Sequence, residues 1–272
     1  MRKFIVCFYL LNSCGSYEYG QLNGEGSDWN ELKDKIYIMG IHGRAAVPRE
    51  LGEKDYWDTG MSVLIDRLKH RLERFDIPDE NFVKVMWNPD YQSSSKLPDV
   101  DYIESHMPLD YKKEPAYTGI VGHSFGGYAA GLVSEAYFER LGQGVDYIGT
   151  VDAVFGPRND EYVDYFGKYT HNWYQTNGVD FVNYACPIIR ECRVDGFVSC
   201  GNDMEEMGFD SSERLNTQHD GSGAVKMGSC LGRSSRKQQA HVTIDQDGFV
   251  HLGVLGKIEE DIQRIYDEST NY

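Results

Sequence analysis

The chain is poor in basic residues and has no long apolar segment near its start. Its 272 residues include 27 Lys and Arg against 43 Asp and Glu, which gives a formal net charge of −16. An acidic surface repels the phosphates of nucleic acids, so the composition argues against a nucleic-acid-binding function. The apolar run at residues 4–11 is much shorter than the roughly 20 residues that cross a bilayer as a helix. No internal repeat is visible.

Closely paired cysteines, the mark of structural zinc modules, are also absent. Four of the 6 cysteines fall late in the chain, at Cys186, Cys192, Cys200 and Cys230. None of their spacings contains a C-x₂₋₄-C step, so a zinc site ranks below two disulfides formed in an oxidising compartment. Three pairings are possible, and the sequence does not choose between them. Four reduced thiols would fit a cytoplasmic protein instead.

The N-terminal residues have the pattern of a secretory signal peptide. Two basic residues precede the apolar run at 4–11, and small and polar residues follow it up to Cys14. Residues 1–14 are therefore predicted to be a signal peptide, and the residues before Cys14 also fit a lipoprotein cleavage site. Both patterns predict an extracytoplasmic protein, either secreted or attached to a membrane through a lipidated Cys14. The alternative is that the apolar run is the first strand of a cytoplasmic protein.

Short apolar runs alternate with amphipathic segments along the first half of the chain. The runs predict strands at 35–43, 81–87, 117–122 and 145–155, and the 3.6-residue periodicity predicts helices at 60–75 and 127–142. This alternation is typical of an α/β fold with a mainly parallel central sheet flanked by helices.

The remaining segments complete the predicted organisation. Residues 15–34 are polar and predict a flexible tether, and residues 35–272 form the predicted domain. Residues 156–236 predict a cysteine-rich insertion, because they contain little periodicity apart from a candidate fifth strand at 179–185. HVTID at 241–245 is a candidate strand, and the periodicity over 252–265 predicts an amphipathic helix. An aromatic stretch at 161–178 predicts either a lid over a site or ordinary surface packing.

A G-x-S-x-G pattern stands where the strand at 117–122 meets the following helix. It consists of Gly122, Ser124 and Gly126. A nucleophilic serine needs this context, because a very sharp strand–turn–helix bend lifts its hydroxyl clear of the sheet. Side chains at the flanking positions would collide in such a bend, which explains both glycines. The alternative is a glycine-rich helix start in which Ser124 is only a cap.

A serine hydroxyl becomes a strong nucleophile only beside a base, and the base needs an orienting acid. Asp152 ends the next predicted strand and is the candidate acid, because a carboxylate in an apolar strand end needs a partner. The fallback acids are Asp195 and Asp203. The base is expected after the last strand, where His241 and His251 both qualify, and topology mildly favours His251, which lies just before the terminal helix. His123 is predicted to shape the bend rather than act as the base.

Ester hydrolysis also needs two N–H groups for the oxyanion of the tetrahedral intermediate. The N–H of Phe125, directly after the serine, is one candidate. The second is expected after the first strand, where a His-Gly pair precedes Arg44. The backbone N–H of Arg44 is therefore predicted to complete the oxyanion hole.

Taken together, these motifs resemble the lipase/esterase branch of the α/β-hydrolase fold. GHSFGG at 122–127 is similar to the G-H-S-x-G-G elbow, IHG at 41–43 to the oxyanion loop, and GTVDAV at 149–154 to a VDPV-like strand end, with Ala153 in place of proline. HVTIDQDGFVHLGVLGKI, beginning at His241, resembles a C-terminal segment in which the first histidine is catalytic. The resemblance covers 35–155 and 237–268 and implies His241 as the base.

The resemblance implies a serine hydrolase that cleaves small-molecule or lipid carboxylic esters through an acyl-enzyme. Its catalytic residues would be Ser124, His241 and Asp152, and the chemistry needs no metal or cofactor. GNDMEE at 201–206 lacks the spacing of an EF-hand and predicts an acidic turn rather than a calcium site. Two alternatives stay open: a serine peptidase or amidase on the same fold, and a surface lipoprotein that uses the fold only for binding.

Overall fold

A computed structural model describes most of the chain between Asp28 and Thr270. The described residues are 28–43, 60–90, 96–156, 161–176, 179–182, 188–191, 193–194, 197–198, 201–215, 226–230, 233–236, 241 and 244–270. The predicted signal peptide, Cys14 and most of the predicted tether lie outside these ranges. Within them, none of the helices combines the length and apolarity needed to span a membrane.

A six-stranded sheet forms the centre of the fold. Its strands are β1 (Ile36–His42), β2 (Phe82–Met86), β3 (Tyr117–His123), β4 (Tyr147–Val151), β5 (Thr170–Tyr174) and β6 (Ser211–Arg214). Their order across the sheet is β6-β5-β4-β3-β1-β2, and every pairing between neighbours is parallel. This topology confirms the predicted α/β class and mainly parallel sheet.

Helices cover both faces of the sheet. They are α1 (Trp29–Leu32), α2 (Gly60–Arg71), α3 (Val100–Ser105), α4 (Phe125–Leu141) and α5 (Gly248–Thr270). Strand side chains alternate between the faces, so Met39 and Ile41 pack with α3 and α4, whereas Ile36 and Ile38 pack with α1, α2 and α5. All seven residues of β1 are buried, as expected for a central strand between two helical layers.

The prediction that residues 156–236 form an insertion is wrong in one respect. Two segments of this range, the strands β5 and β6, belong to the central sheet. Strand β5 lies within the aromatic stretch at 161–178, where the sequence predicts a lid or surface packing, and its Trp173 is fully buried. The candidate fifth strand at 179–185 instead forms Val179–Val182, which pairs only with Ile188–Glu191 in a separate antiparallel unit. The sequence does not predict β5 as a buried strand because its composition is polar.

Other short pairs complete the described part of this region. They are Arg193–Val194 with Phe197–Val198, and Lys226–Cys230 with Arg233–Arg236, both antiparallel. Cys186, Cys192 and Cys200 lie outside the described residues, as does the side chain of Cys230, so the predicted disulfides stay predictions.

Two further boundaries differ from the predicted ones. Residues 28–34 are not part of a flexible tether: α1 begins at Trp29, which is buried and donates its indole N–H to the carbonyl oxygen of Phe75 at 3.1 Å. The described residues of the HVTID segment are not in a strand, because His241 is helical and Ile244–Gln246 form a 3₁₀ turn that leads into α5. Ile244 of that turn is buried in the core on the α2 and α5 side of the sheet.

Candidate active site

Four neighbouring strands end at one edge of the sheet, and each is followed by a residue of the candidate site. Gly43 follows β1, Ser124 follows β3, Asp152 follows β4 and Gln175 follows β5. Because the sheet order is β5-β4-β3-β1, these four residues lie side by side. The carboxyl edge of a parallel sheet is where sites form in α/β proteins.

Ser124 occupies a sharp bend between β3 and α4. Its φ of 57° and ψ of −123° lie in a region that residues with side chains rarely adopt. A Cβ atom at Gly122 would overlap the carbonyl oxygen of Gly126, and one at Gly126 would overlap that of Ile41. The bend therefore requires glycine at both positions flanking the serine.

The N-terminus of α4 begins directly after this bend. Phe125 is the first residue of the helix, so its N–H has no acceptor within the helix and lies at the positive end of the helix dipole. A Cβ at Gly127 would approach that of Ala153 to 2.5 Å, which shows how tightly the helix start packs against the end of β4. This packing fixes the first turn of α4 beside Ser124.

A continuous chain of hydrogen bonds joins Ser124, His241 and Asp152. The hydroxyl oxygen Oγ of Ser124 lies 2.8 Å from Nε2 of His241, and Nδ1 of His241 lies 2.6 Å from Oδ2 of Asp152. With Asp152 ionised, Nδ1 carries the imidazole proton and Nε2 is the acceptor for the serine hydroxyl. The arrangement is that of a nucleophile, a base and an orienting acid.

Asp152 is held by its neighbours on both sides of the carboxylate. The residue has a φ of 50°, and its N–H donates to the carbonyl oxygen of Trp173 at 2.6 Å. Gln175 donates twice to the carboxylate, from its backbone N–H to Oδ1 at 3.0 Å and from Nε2 to Oδ2 at 2.6 Å. Asp152 is fully buried, so these bonds replace the hydration of its charge.

His123 connects the serine bend to the segment that carries His241. Its Nε2–H donates to the backbone carbonyl oxygen of His241 at 2.7 Å, and Nδ1 lies 3.5 Å from Oδ2 of Asp245. Burial lowers the pKa of the His123 imidazole, which favours the neutral ring. The prediction that His123 shapes the bend is thus too narrow, since the ring also anchors His241.

The alternative candidates lie apart from the serine or outside the described residues. The ring of His251 contacts Nη1 of Arg67 through Nδ1 at 2.9 Å and the carbonyl oxygen of Asp245 through Nε2 at 2.7 Å. Asp203 accepts from the hydroxyl of Tyr174 at 2.7 Å rather than from a histidine. Asp195 lies outside the described residues.

The second predicted oxyanion donor, Arg44, also lies outside the described residues. Its predecessor Gly43 is described and approaches the serine closely. A Cβ at Gly43 would lie 2.5 Å from Cβ and 3.2 Å from Oγ of Ser124. The chain that leads to Arg44 thus leaves β1 directly beside the serine hydroxyl.

The sequence predicts an exposed serine hydroxyl, and this prediction is wrong for the structure. Ser124, His241 and Asp152 each have 0% of their surface exposed. The bend lifts Ser124 off the end of β3, but other parts of the chain cover it.

The segment at 201–206 forms a turn in which the side chain of Asp203 binds protein groups. Oδ1 of Asp203 accepts from the N–H of Glu205 at 3.1 Å and from the hydroxyl of Ser212 at 2.9 Å. Met204 between them is fully buried. Across the described ranges, no group of three or more His, Cys, Asp or Glu side chains has the arrangement of a metal site.

Comparison with known proteins gives little further information. No protein-family model matches the chain, and no curated protein sequence matches it. One solved structure that matches, the crystal structure of PytH_H230A, is 13% identical with a TM-score of 0.26, over 83% of this chain and 84% of that one. A TM-score this low carries no argument about fold or activity.

Proposed function

We propose that this protein is a serine hydrolase of the α/β-hydrolase fold that cleaves carboxylic esters through an acyl-enzyme. The observation that carries the proposal is the hydrogen-bonded chain from Oγ of Ser124 through His241 to Asp152. Its support is the combination of this chain with a strained serine conformation at the start of a helix, because such strain persists where a function requires it.

In the proposed first step, Nε2 of His241 takes the proton of the Ser124 hydroxyl as Oγ attacks the ester carbonyl carbon. The C–O bond to the leaving alcohol then breaks, and His241 returns the proton to that oxygen. Asp152 stays ionised and stabilises the imidazolium that exists between the two events. In the second step, water attacks the acyl-enzyme by the same route and releases the acid and the free serine.

The proposed oxyanion hole consists of the N–H groups of Phe125 and Arg44. Each donor of this kind contributes about 2.7–4 kcal/mol to stabilisation of the transition state. The position of Phe125 at the first turn of α4 supports its assignment. The close approach of Gly43 to Ser124 supports the assignment of the residue that follows it.

A series of aryl esters of increasing acyl length tests the proposal. We expect wild-type protein to cleave some members of the series and Ser124→Ala to cleave none above the background rate. Asp203→Asn is the matched control, because the carboxylate of Asp203 accepts from the hydroxyl groups of Tyr174 and Ser212. A fluorophosphonate probe should label the wild type and the control but not Ser124→Ala.

The other outcomes of the same experiment identify the alternatives. Cleavage of peptides or amides in preference to esters would indicate a peptidase or amidase that uses the same residues. Failure of the probe to label Ser124, together with inactivity on every ester, would overturn the hydrolase proposal and favour a binding scaffold.

We also propose an extracytoplasmic location, on the basis of the pattern in residues 1–14 alone. Mass spectrometry of the mature N-terminus tests it. A chain that begins at a lipid-modified Cys14 would support membrane attachment, and an unprocessed N-terminus would favour a cytoplasmic protein.

A further inference from the structure

We propose that Gln175 is a positioning residue that keeps the carboxylate of Asp152 aimed at His241. The inference rests on the proposed function, in which Asp152 is the acid that orients the base. Sequence reasoning missed Gln175, because strand β5, which places it, was not predicted. The residue has no exposed surface and lies directly beside Asp152 at the carboxyl edge of the sheet.

Among the described residues, the carboxylate of Asp152 accepts hydrogen bonds from three N–H groups, and Gln175 supplies two of them. The backbone N–H of Gln175 binds Oδ1 at 3.0 Å, and its side-chain Nε2 binds Oδ2 at 2.6 Å. The third donor is Nδ1 of His241, which binds the same Oδ2 at 2.6 Å. The two contacts from one residue fix both carboxylate oxygens, so the plane of the carboxylate cannot turn away from His241.

These contacts matter most while His241 is neutral. A buried carboxylate is then stabilised mainly by the hydrogen bonds that it accepts, because water does not reach it. Gln175 therefore holds the carboxylate where it accepts the Nδ1 proton of His241, which leaves Nε2 of His241 free to accept from the serine hydroxyl.

Gln175 is itself held in place by the described segment that begins at Gly201. The N–H of Gly201 donates to the carbonyl oxygen of Gln175 at 3.2 Å. A Cβ at Gly201 would overlap Oδ1 of Asp152, so the backbone there packs directly on the carboxylate. The amide and the carboxylate are enclosed together, which leaves Gln175 little freedom to adopt another rotamer.

Gln175→Met removes the side-chain donor and keeps a similar length and the backbone N–H. We expect kcat for an aryl ester to fall about 10- to 100-fold, the range seen when a residue that orients a reacting side chain is lost. KM should stay within about twofold, because the side chain of Gln175 is fully buried and binds Asp152. The matched control is Asn81→Leu, which removes a buried amide bound to the carbonyl oxygen of Asp34 before the first strand.

A purely structural role predicts a different result. In that case Gln175→Met and Asn81→Leu would both lower the melting temperature, and neither would change kcat. A loss of kcat confined to Gln175→Met supports positioning. Equal kcat in the two variants and the wild type would overturn it.

Gln175→Glu provides a second readout that depends on pH. The new carboxyl group can donate to Asp152 only while the two carboxyl groups share one proton. Repulsion between two negative charges keeps that proton bound up to a higher pH than for a single carboxyl group. We expect this variant to lose activity on the alkaline side, where wild type and Gln175→Met show no such decline. An alkaline limb identical to that of the wild type would contradict the proposed contact.

A measurement that needs no activity separates this inference from the proposed function. Nitrogen-15 NMR of the His241 ring reports which ring nitrogen carries the proton. We expect Nδ1–H alone in the wild type and a mixture of the two tautomers in Gln175→Met. If the wild type neither cleaves esters nor reacts at Ser124, the function fails, while unchanged tautomers in Gln175→Met would overturn the role of Gln175.

Discussion

Nδ1 of His241 lies 2.6 Å from Oδ2 of Asp152, although the two residues are 89 positions apart in the chain. Strand β4 delivers the carboxylate to the sheet edge, and the turn before α5 delivers the imidazole. Neither side chain has exposed surface, and a hydrogen bond in such an interior is stronger than one in water. The three predicted members of the site thus meet in one buried chain of hydrogen bonds.

Asp152→Asn should leave the fold in place and lower kcat about 10⁴-fold, the effect of replacing the orienting acid by its amide in a Ser-His-Asp triad. The amide can donate to Nδ1 of His241 and so favours the tautomer that cannot accept the serine proton. Steady-state kinetics on an aryl ester measure the effect, with Asp203→Asn as the control. Similar kcat values in the two variants would show that Asp152 has no such role.

The serine bend and its acid partner are readable from the sequence because each depends on local chemistry. Gly122 and Gly126 mark a bend that excludes side chains, and Asp152 is a carboxylate at the end of an apolar strand. Position in the chain mildly favours His251, which lies just before the terminal helix, and only the resemblance favours His241. The structure places His241, and not His251, against Ser124.

Other parts of the site depend on packing between distant segments, which local patterns do not encode. Strand β5 has the sequence THNWY, whose polar residues do not give the apolar pattern of a buried strand. They can nevertheless be buried because side chains and backbone groups of neighbouring segments bind them. Asn172, for example, accepts from the hydroxyl of Thr150 and donates to Ser212 and to the carbonyl oxygen of Asn202. Because β5 is not predicted, the position of Gln175 beside Asp152 cannot be inferred from the sequence. The burial of Ser124 likewise depends on how distant segments cover the bend.

His123→Ala should lower kcat about tenfold or more, because it removes the donor that holds the backbone carbonyl of His241. His123→Gln should recover much of the activity, since a glutamine amide can donate from nearly the same position. Kinetics and melting temperatures of both variants are the measurement. Equal kcat for the alanine and glutamine variants would mean that the hydrogen bond does not position His241.

Gly126→Ala should destabilise the protein, because the new methyl group would overlap the carbonyl oxygen of Ile41. Overpacking of this kind costs about 1–3 kcal/mol or more in free energy of unfolding. The control is Gly256→Ala, at an exposed position in α5 where a Cβ meets nothing within 4 Å. That change should instead stabilise by about 0.5–1 kcal/mol, and urea unfolding of both variants tests the difference in sign.

Buried histidines should make the fold less stable in acid. Burial lowers the pKa of His42 from 6.5 to about 3, and the pKa values of His123 and His251 are lowered in the same way. Below about pH 6.5 the unfolded chain binds protons at these positions while the folded chain does not. Their contribution to stability is therefore complete above that pH and is lost as the pH falls toward the folded-state values.

Urea unfolding between about pH 7.5 and pH 4.5 measures this loss, and His42→Gln isolates one contributor. Each unit of difference in pKa between the folded and unfolded states corresponds to about 1.4 kcal/mol, so the wild type should lose stability steeply over this interval. His42→Gln should lose it less steeply, because the glutamine takes up no proton on unfolding. His70→Gln is the control, since that side chain is 88% exposed, and its curve should run parallel to the wild type. A His42→Gln curve that is also parallel would show that His42 takes up its proton equally well in the folded protein.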